Sequence, residues 1–215
     1  MAYVFTSDLH FYHKRICEFT KRGKSTSQEE HDEWLIALWN KSVKPGDTVI
    51  HVGDFCMKHD LEVMSNLLYR LNGQKYMIVG NHDNEDMLLH IMDTNKGAKI
   101  RLVRDTLYMK VCGVWTHICH YPMGSWRNMS HGSWHIHGHS HSHYRYGHEG
   151  RILDVGIDNA YKLYKEHKFF TEDMVREHML SRSVTVNDSH RTAFGGKREP
   201  SGDDGAPIPK TGKLI

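Results

Sequence analysis

Apolar residues fall along this chain in two rhythms. In the first, short apolar runs alternate with longer stretches of helical spacing. Tyr3–Thr6, Thr48–Val52 and Tyr76–Val79 read as buried strands, because near-continuous apolar runs of this length suit a sheet covered on both faces. Between the first two, Ser25-Thr26-Ser27-Gln28-Glu29-Glu30 offers overlapping capping boxes. The helix it opens carries Trp34, Leu35, Leu38 and Trp39 at three- to four-residue spacing, a core-facing stripe, and Lys44-Pro45-Gly46-Asp47 ends it. His59–Leu71 reads as a second helix closed by Asn72-Gly73, and Glu85–Met92 as a third. Strands alternating with helices predict a parallel sheet. From Ala98 the rhythm changes. Ala98–Val103, Thr106–Val111, Val114–Ile118, Ser133–His137 and Arg151–Val155 are β-rich runs, most with only short breaks between them, which predicts a second, mostly antiparallel sheet. Thr171-Glu172-Asp173 opens a last helix reaching about Leu180.

Composition bounds the protein without naming it. The 215 residues, 39% hydrophobic and 25% charged, suffice for one substantial core. Residues 1–182 are expected to form one domain. Residues 183–215 hold three of the five prolines, with glycine, serine and mixed charge, and are expected to be a disordered tail. Residues 181–215 carry six Lys/Arg against four Asp/Glu, which accounts for the whole formal charge of +2 and leaves the body neutral. Charge therefore gives no indication of a nucleic-acid partner. No apolar run approaches the ~20 residues of a membrane helix, and Met1-Ala2-Tyr3-Val4-Phe5 reads directly into a strand, so no signal peptide is expected. The four cysteines form no C-x-x-C pair and read as reduced thiols of a cytoplasmic protein.

Chemistry enters where the strands end. The first three deliver Asp8 and His10, then Asp54, then Asn81, His82 and Asp83, and in an open α/β sheet ligands gather beyond the carboxyl ends. Singly, each signal is weak, since a lone D-x-H is common by chance and Asp54 serves equally as a helix cap. His13, at a predicted helix start, suits a supporting or phosphate-facing role and a plain surface position equally. Nine of the 19 histidines lie between His117 and His148. In the densest run, Trp134–His143, Gly138 is followed by His139 and His141; the glycine allows an unusual backbone angle and a close approach. Neutral imidazoles one residue apart suit a transition metal. Tyr121, next to His120, is a further candidate for substrate contact. Within Met123–Gly132, Trp126 and Arg127 suit an anionic substrate with an aromatic part, or an ordinary loop with one packed tryptophan.

In order, the polar signals are Asp8-x-His10, Gly53-Asp54, Gly80-Asn81-His82-Asp83, His120 and Gly138-His139-x-His141. This series resembles the blocks of the calcineurin-like metallophosphoesterase superfamily over roughly residues 3–160, and its fuller stretches resemble a small bacterial and bacteriophage branch. The resemblance implies a four-layer α/β/β/α sandwich of two mixed β-sheets flanked by helices. It implies two divalent metal ions bridged by Asp54, one held by Asp8, His10 and His141, the other by Asn81, His120 and His139. Manganese is the leading expectation, with iron, zinc or nickel as alternatives. His82 would stand beside the metals near the phosphate and leaving group, and with Asp54 forms the catalytic pair. A hydroxide bridging the ions would be the nucleophile. The implied activity is phosphodiester hydrolysis of small or nucleotide-like substrates; phosphomonoester hydrolysis and nuclease action belong to the same superfamily. The Gly53-Asp54-Phe55-Cys56 block lacks the D-R-G continuation of the protein phosphatases, which lowers that alternative. A non-catalytic metal-binding protein is the rival from another class.

Overall fold

The computed structural model describes residues 2–20, 22, 27–143 and 150–185. The first sheet joins β1 (Tyr3–Thr6), β2 (Thr48–Val52), β3 (Gln74–Ile78), β4 (Ile100–Arg104) and β9 (Phe170–Thr171) in the order β4-β3-β2-β1-β9. Its first four strands are parallel and β9 is antiparallel to β1. Every residue of β2 is buried, as its unbroken apolar pattern predicts for a central strand covered on both faces.

The helices start where capping chemistry places them. Ser27 accepts a hydrogen bond from the Glu30 N–H and opens α2 (Gln28–Ser42). Asp60 does the same for α3 (Leu61–Arg70), Asn84 for α4 (Glu85–Thr94) and Thr171 for α6 (Glu172–Leu180). The helix start expected at His13 yields only one turn, α1 (Ile16–Phe19), and the short α5 (Ile157–Tyr164) has no counterpart among the predicted elements. One core forms where α2, α3 and α4 pack Trp39, Leu67 and Ile91 against the first sheet around Val49 and Met77.

The second sheet, β5 (Thr106–Val111), β6 (Val114–Cys119), β7 (Trp134–His137) and β8 (Ile152–Asp154), is ordered β5-β6-β7-β8. It corrects two expectations. The run beginning at Ala98 yields β4, which pairs parallel with β3 in the first sheet, because α4 carries the chain back across that sheet. The second sheet is also mixed rather than mostly antiparallel. Only β5 and β6 pair as a hairpin, through Cys112 and Gly113, both at positive φ; β6, β7 and β8 run parallel. Alternation of apolar residues does not encode strand direction, whereas the long connection over residues 120–133 permits a parallel crossover. A second core fills the space between the sheets, with Phe5, Ile50 and Ile78 facing Ile118, Trp134 and Ile136; α5 and α6 add Ala160, Val175 and Met179. The whole is two mixed sheets flanked by helices. Of the expected tail, residues 183–185 form neither helix nor strand, and 186–215 lie outside the described residues. No described helix is long and apolar enough to cross a membrane.

Two buried bases are built into this frame. His51 on β2 lies between Trp39 and Phe55, neither ring nitrogen has a partner, and burial pushes it down to about 3. Lys75 on β3 is fully buried, donates to the carbonyls of Leu71 and Gly73, and is pushed down to about 7, chiefly by burial. A base whose folded pKa is depressed leaves the unfolded chain holding the extra proton, so stability rises with pH between the folded and unfolded values. For Lys75 that window runs upward from about pH 7. Urea unfolding at pH 6.5 and 8.5 is expected to show wild type gaining on Lys75→Met across this interval, by at most about 1.4 kcal/mol per pH unit. A constant difference between the two would mean that Lys75 keeps its proton when buried.

Candidate metal centre

All five polar blocks emerge at one end of the sandwich, past β1, β2, β3, β6 and β7. They converge as two groups. Asp8, His10 and His141 bring ligand atoms within 4.8 Å of one another, and so do Asp54, His120 and His139. Asn81 joins the second group: its Oδ1 lies 3.1 Å from His120 Nε2 and 3.0 Å from His139 Nδ1. Asp54 faces both, with Oδ2 3.7 Å from His10 Nε2 and 3.4 Å from His120 Nε2. In the first group His10 Nε2 and His141 Nε2 approach to 3.1 Å, their rings stacked.

Backbone geometry aims these side chains. Asp8, His10, Asp54, His139 and His141 all adopt left-handed conformations, with φ of 56°, 54°, 58°, 66° and 43°. Each costs roughly 1–2 kcal/mol in a residue with a β-carbon, so the surroundings must hold them. They do so through carboxylates. Asp83 is not among the predicted ligands; its side chain accepts from the N–H groups of Asp54 (2.8 Å), Phe55 (2.8 Å) and Gly80 (2.9 Å), tying β2's loop to β3's. Asp8 accepts from the His139 N–H at 3.0 Å, across 131 residues of sequence. Asp154, unremarked in the sequence, accepts from Ser140 Oγ (2.6 Å), Ser142 N–H (3.1 Å) and Gly156 N–H (2.8 Å), fixing the loop that carries His139 and His141. Arg22 and Asp158 were likewise unforeseen. Asp158 follows β8 as the other blocks follow their strands, and that placement was the available signal; for Arg22 there was none.

Gly138 is needed for space rather than for its backbone angle. Its φ is not in the left-handed region, but a β-carbon there would stand 2.1 Å from Ser7 Oγ and 2.6 Å from Asp8 Oδ2. At Gly53 an added β-carbon would meet the His120 ring at 2.2 Å, and at Gly80 the Asp54 carboxylate at 2.3 Å.

Electrostatics within the centre follow burial and partners. Burial lifts Asp8 to about 7, against the pull of His141. Burial also favours the neutral form of Asp54, but the His120 hydrogen bond, the His82 N–H (2.9 Å) and nearby charge hold it below the ordinary carboxylate range. Burial pushes His120 down, and its bonds to Asp54 and the Val52 carbonyl outweigh that and raise it to about 9. His10 is driven down to about 2, mainly by burial, and His139 is lowered for the same reason. The remaining histidines of the rich run turn elsewhere: His135 Nδ1 donates to the His117 carbonyl, and His137 Nδ1 to that of Gly138.

The donors suit divalent ions. All are nitrogen or oxygen, and His120 and His141 donate Nδ1–H outward, leaving each Nε2 to face the cluster, where a cation would take the place of a proton. Two His/Asp clusters, each with two buried members, could thus each hold a metal ion. His82 sits at the rim, exposed, its ring edge-on to His10 at 5.5 Å. It lines a cavity of about 380 Å³ with His13, Ile16, Phe19 and His141. Tyr121, half exposed, packs its ring against His120 and His139 at 5.1 and 4.8 Å. Of the two readings open to the loop of Trp126 and Arg127, the structure matches the packed tryptophan. Trp126 is buried with Met129 and Ile152, its indole N–H given to the Ser133 carbonyl, and Arg127 stacks on Tyr108. Apolar packing has taken the tryptophan, while Arg127 stays exposed over the Tyr108 ring.

Fold and cluster together define an α/β protein of two mixed sheets with a paired metal-capable centre at one end. No known protein family matches by its family profile. An uncharacterized protein of Methanocaldococcus jannaschii is 34% identical over 100 residues, which is 46% of this chain and 56% of that protein. The gene 66 protein of Mycobacterium phage L5 is 39% identical over 82 residues, 37% of this chain and 38% of the phage protein. The chain therefore spans 56% of the length of one curated relative and 38% of the other. Among solved structures, a protein of unknown function from Aquifex aeolicus superposes with a TM-score of 0.58 at 19% identity, over 82% of this chain and 98% of that one. That likeness is one of fold.

Because Gly138 is a matter of space, Gly138→Ala is expected to cost about 3 kcal/mol in urea unfolding and to impair metal uptake. Gly46→Ala, where a β-carbon meets nothing within 4 Å, should shift stability by no more than about 0.5 kcal/mol. Equal effects would remove the steric argument.

Proposed function

We propose that this protein is a metal-dependent phosphoester hydrolase of the calcineurin-like type, acting by preference on phosphodiesters of small or nucleotide-like substrates. The observation that carries the reading is Asp54, one carboxylate facing two donor groups at 3.7 and 3.4 Å. Two divalent cations, of which manganese suits the nitrogen and oxygen donors and iron, zinc or nickel are the alternatives, would supply positive charge to the phosphoryl oxygens and acidify water for attack at phosphorus.

The chain's own contribution is to position and to move a proton. Asp8, His10 and His141 would hold one cation and Asn81, His120 and His139 the other, with the Asp54 carboxylate facing both groups. His82 stands at the mouth with no ligand partner and within ring contact of His10. From there it donates a proton to the departing ester oxygen. His13 shares the cavity wall and orients the phosphate, while Tyr121 borders the side near His120. Beyond the histidines the wall is Ile16, Phe19, Thr20 and Ser140, with Phe19 61% exposed. An exposed phenylalanine beside a polar centre suits an apolar or planar ester group, which favours a diester over a bare phosphate.

Turnover of bis-p-nitrophenyl phosphate against p-nitrophenyl phosphate, with each metal in turn, tests the class, and a monoester preference would overturn the diester assignment. Asp54→Asn is expected to abolish turnover and weaken at least one metal ion, since a neutral amide bridges two cations poorly. Full activity in that variant would defeat the two-metal reading. His82→Ala should keep both ions, by elemental analysis, and lose about 10²–10⁴-fold in rate on substrates with poor leaving groups. The loss should shrink for nitrophenolate, which departs with little protonation. Equal losses on good and poor leaving groups would make His82 a phosphate-binding group.

A further inference from the structure

Arg22 is fully buried, although no strand or helix contains it. Four of its hydrogen bonds are in place. Nε and Nη2 grip the two oxygens of Asp158 at 2.9 and 2.7 Å, Nη1 donates to the Leu9 carbonyl at 2.7 Å, and Nη2 also donates to the Asp8 carbonyl. Asp158, in the first turn of α5, in turn accepts from His141 Nδ1 at 2.6 Å. A buried ion pair is a poor device for stability, because desolvation offsets its attraction and apolar residues of like volume often serve as well. What this pair does have is reach. One side grips the backbone between Asp8 and His10; the other grips the back of the His141 ring.

We propose that Arg22 and Asp158 are positioning residues for one metal position, that of Asp8, His10 and His141, and make it the tighter of the two. The proposal rests on the two-metal reading of the centre. A carboxylate behind a ligand histidine fixes the tautomer that offers Nε2 and raises its basicity. The position of Asn81, His120 and His139 has no such backing among the described residues. His120 leans on a neutral carbonyl, that of Val52, and His139 Nδ1 is directed at Asn81. Arg22 adds a second constraint, since its planar fork sets the Asp158 carboxylate and the Asp8–Leu9 carbonyls in one rigid frame. Neither residue touches substrate; both act through His141 and the Asp8–His10 backbone.

The test is calorimetric titration of the metal-free full chain with Mn²⁺, with thermal melts as a folding control. Asp158→Asn preserves shape but leaves Arg22 uncompensated, so Arg22→Gln/Asp158→Asn, which removes both charges, is measured alongside it. The wild type is expected to show two binding events. In the variants the tighter event should weaken about 10- to 100-fold while the looser one stays within about threefold, and weakening of the looser event alone overturns the proposal. A purely structural role would loosen both events alike, so equal weakening overturns the proposal, as does an unchanged pair. No Mn²⁺ uptake by the wild type would overturn the two-metal reading itself, and this proposal with it. Two intact events in every variant would defeat this proposal alone.

Discussion

Chain segments meet at this centre at separations that leave no room for a β-carbon at positions 53, 80 and 138. Everything else about the site depends on that closeness. It allows the Asp8 carboxylate to reach the His139 N–H, the Asp83 carboxylate to take three backbone N–H groups, and Asp54 to look toward two clusters at once. Backbone strain at the left-handed Asp8, Asp54 and His139 is tolerable for the same reason, since these bonds hold them, and the His10 N–H is held by the Asp54 carbonyl at 3.1 Å. The sheets supply the direction of approach and the buried carboxylates supply the grip.

Histidine is used in this molecule for two opposite purposes, and surroundings alone decide which. His51 and His135 are pushed down to about 3 by burial and serve as aromatic packing or as plain hydrogen-bonding rings. His120 is buried too, yet the Asp54 carboxylate beside it raises it to about 9. A ring that binds a proton so readily beside an ionised carboxylate is also a good donor to a cation, because the two compete for the same lone pair. Richness in histidine between positions 117 and 148 is thus a poor guide to function without the carboxylates; of that run, the metal-capable clusters take His120, His139 and His141.

Much of this was legible in the chain. Strand–helix alternation through residue 94, the caps at Ser27 and Thr171, and the five polar blocks at strand ends all follow from local chemistry and periodicity. What the sequence concealed has physical reasons. Strand direction in the second sheet is a property of the connections, which apolar alternation does not record. The pairing of β4 with β3 is a tertiary choice made by α4. Arg22, Asp154 and Asp158 resemble any surface arginine or aspartate until the fold buries them. Trp126 and Arg127 show the converse ambiguity, since side chains suited to a ligand are equally suited to packing on Ile152 and Tyr108.

The hydrogen bond between Asp8 and His139 closes 131 residues of chain, and the contact of His10 with His141 closes as many. Neither cluster is local, since each joins a residue from the first sheet's loops to one that follows β7. A nascent or partly folded chain therefore has no centre at all: its histidines are present but scattered, and the entropy of closing so long a loop must be met first by the two cores. Cation capture would come last in folding and could not nucleate it. Tight uptake of metal would accordingly report on completion of the whole sandwich, and a population that binds weakly would be one whose second sheet has yet to dock.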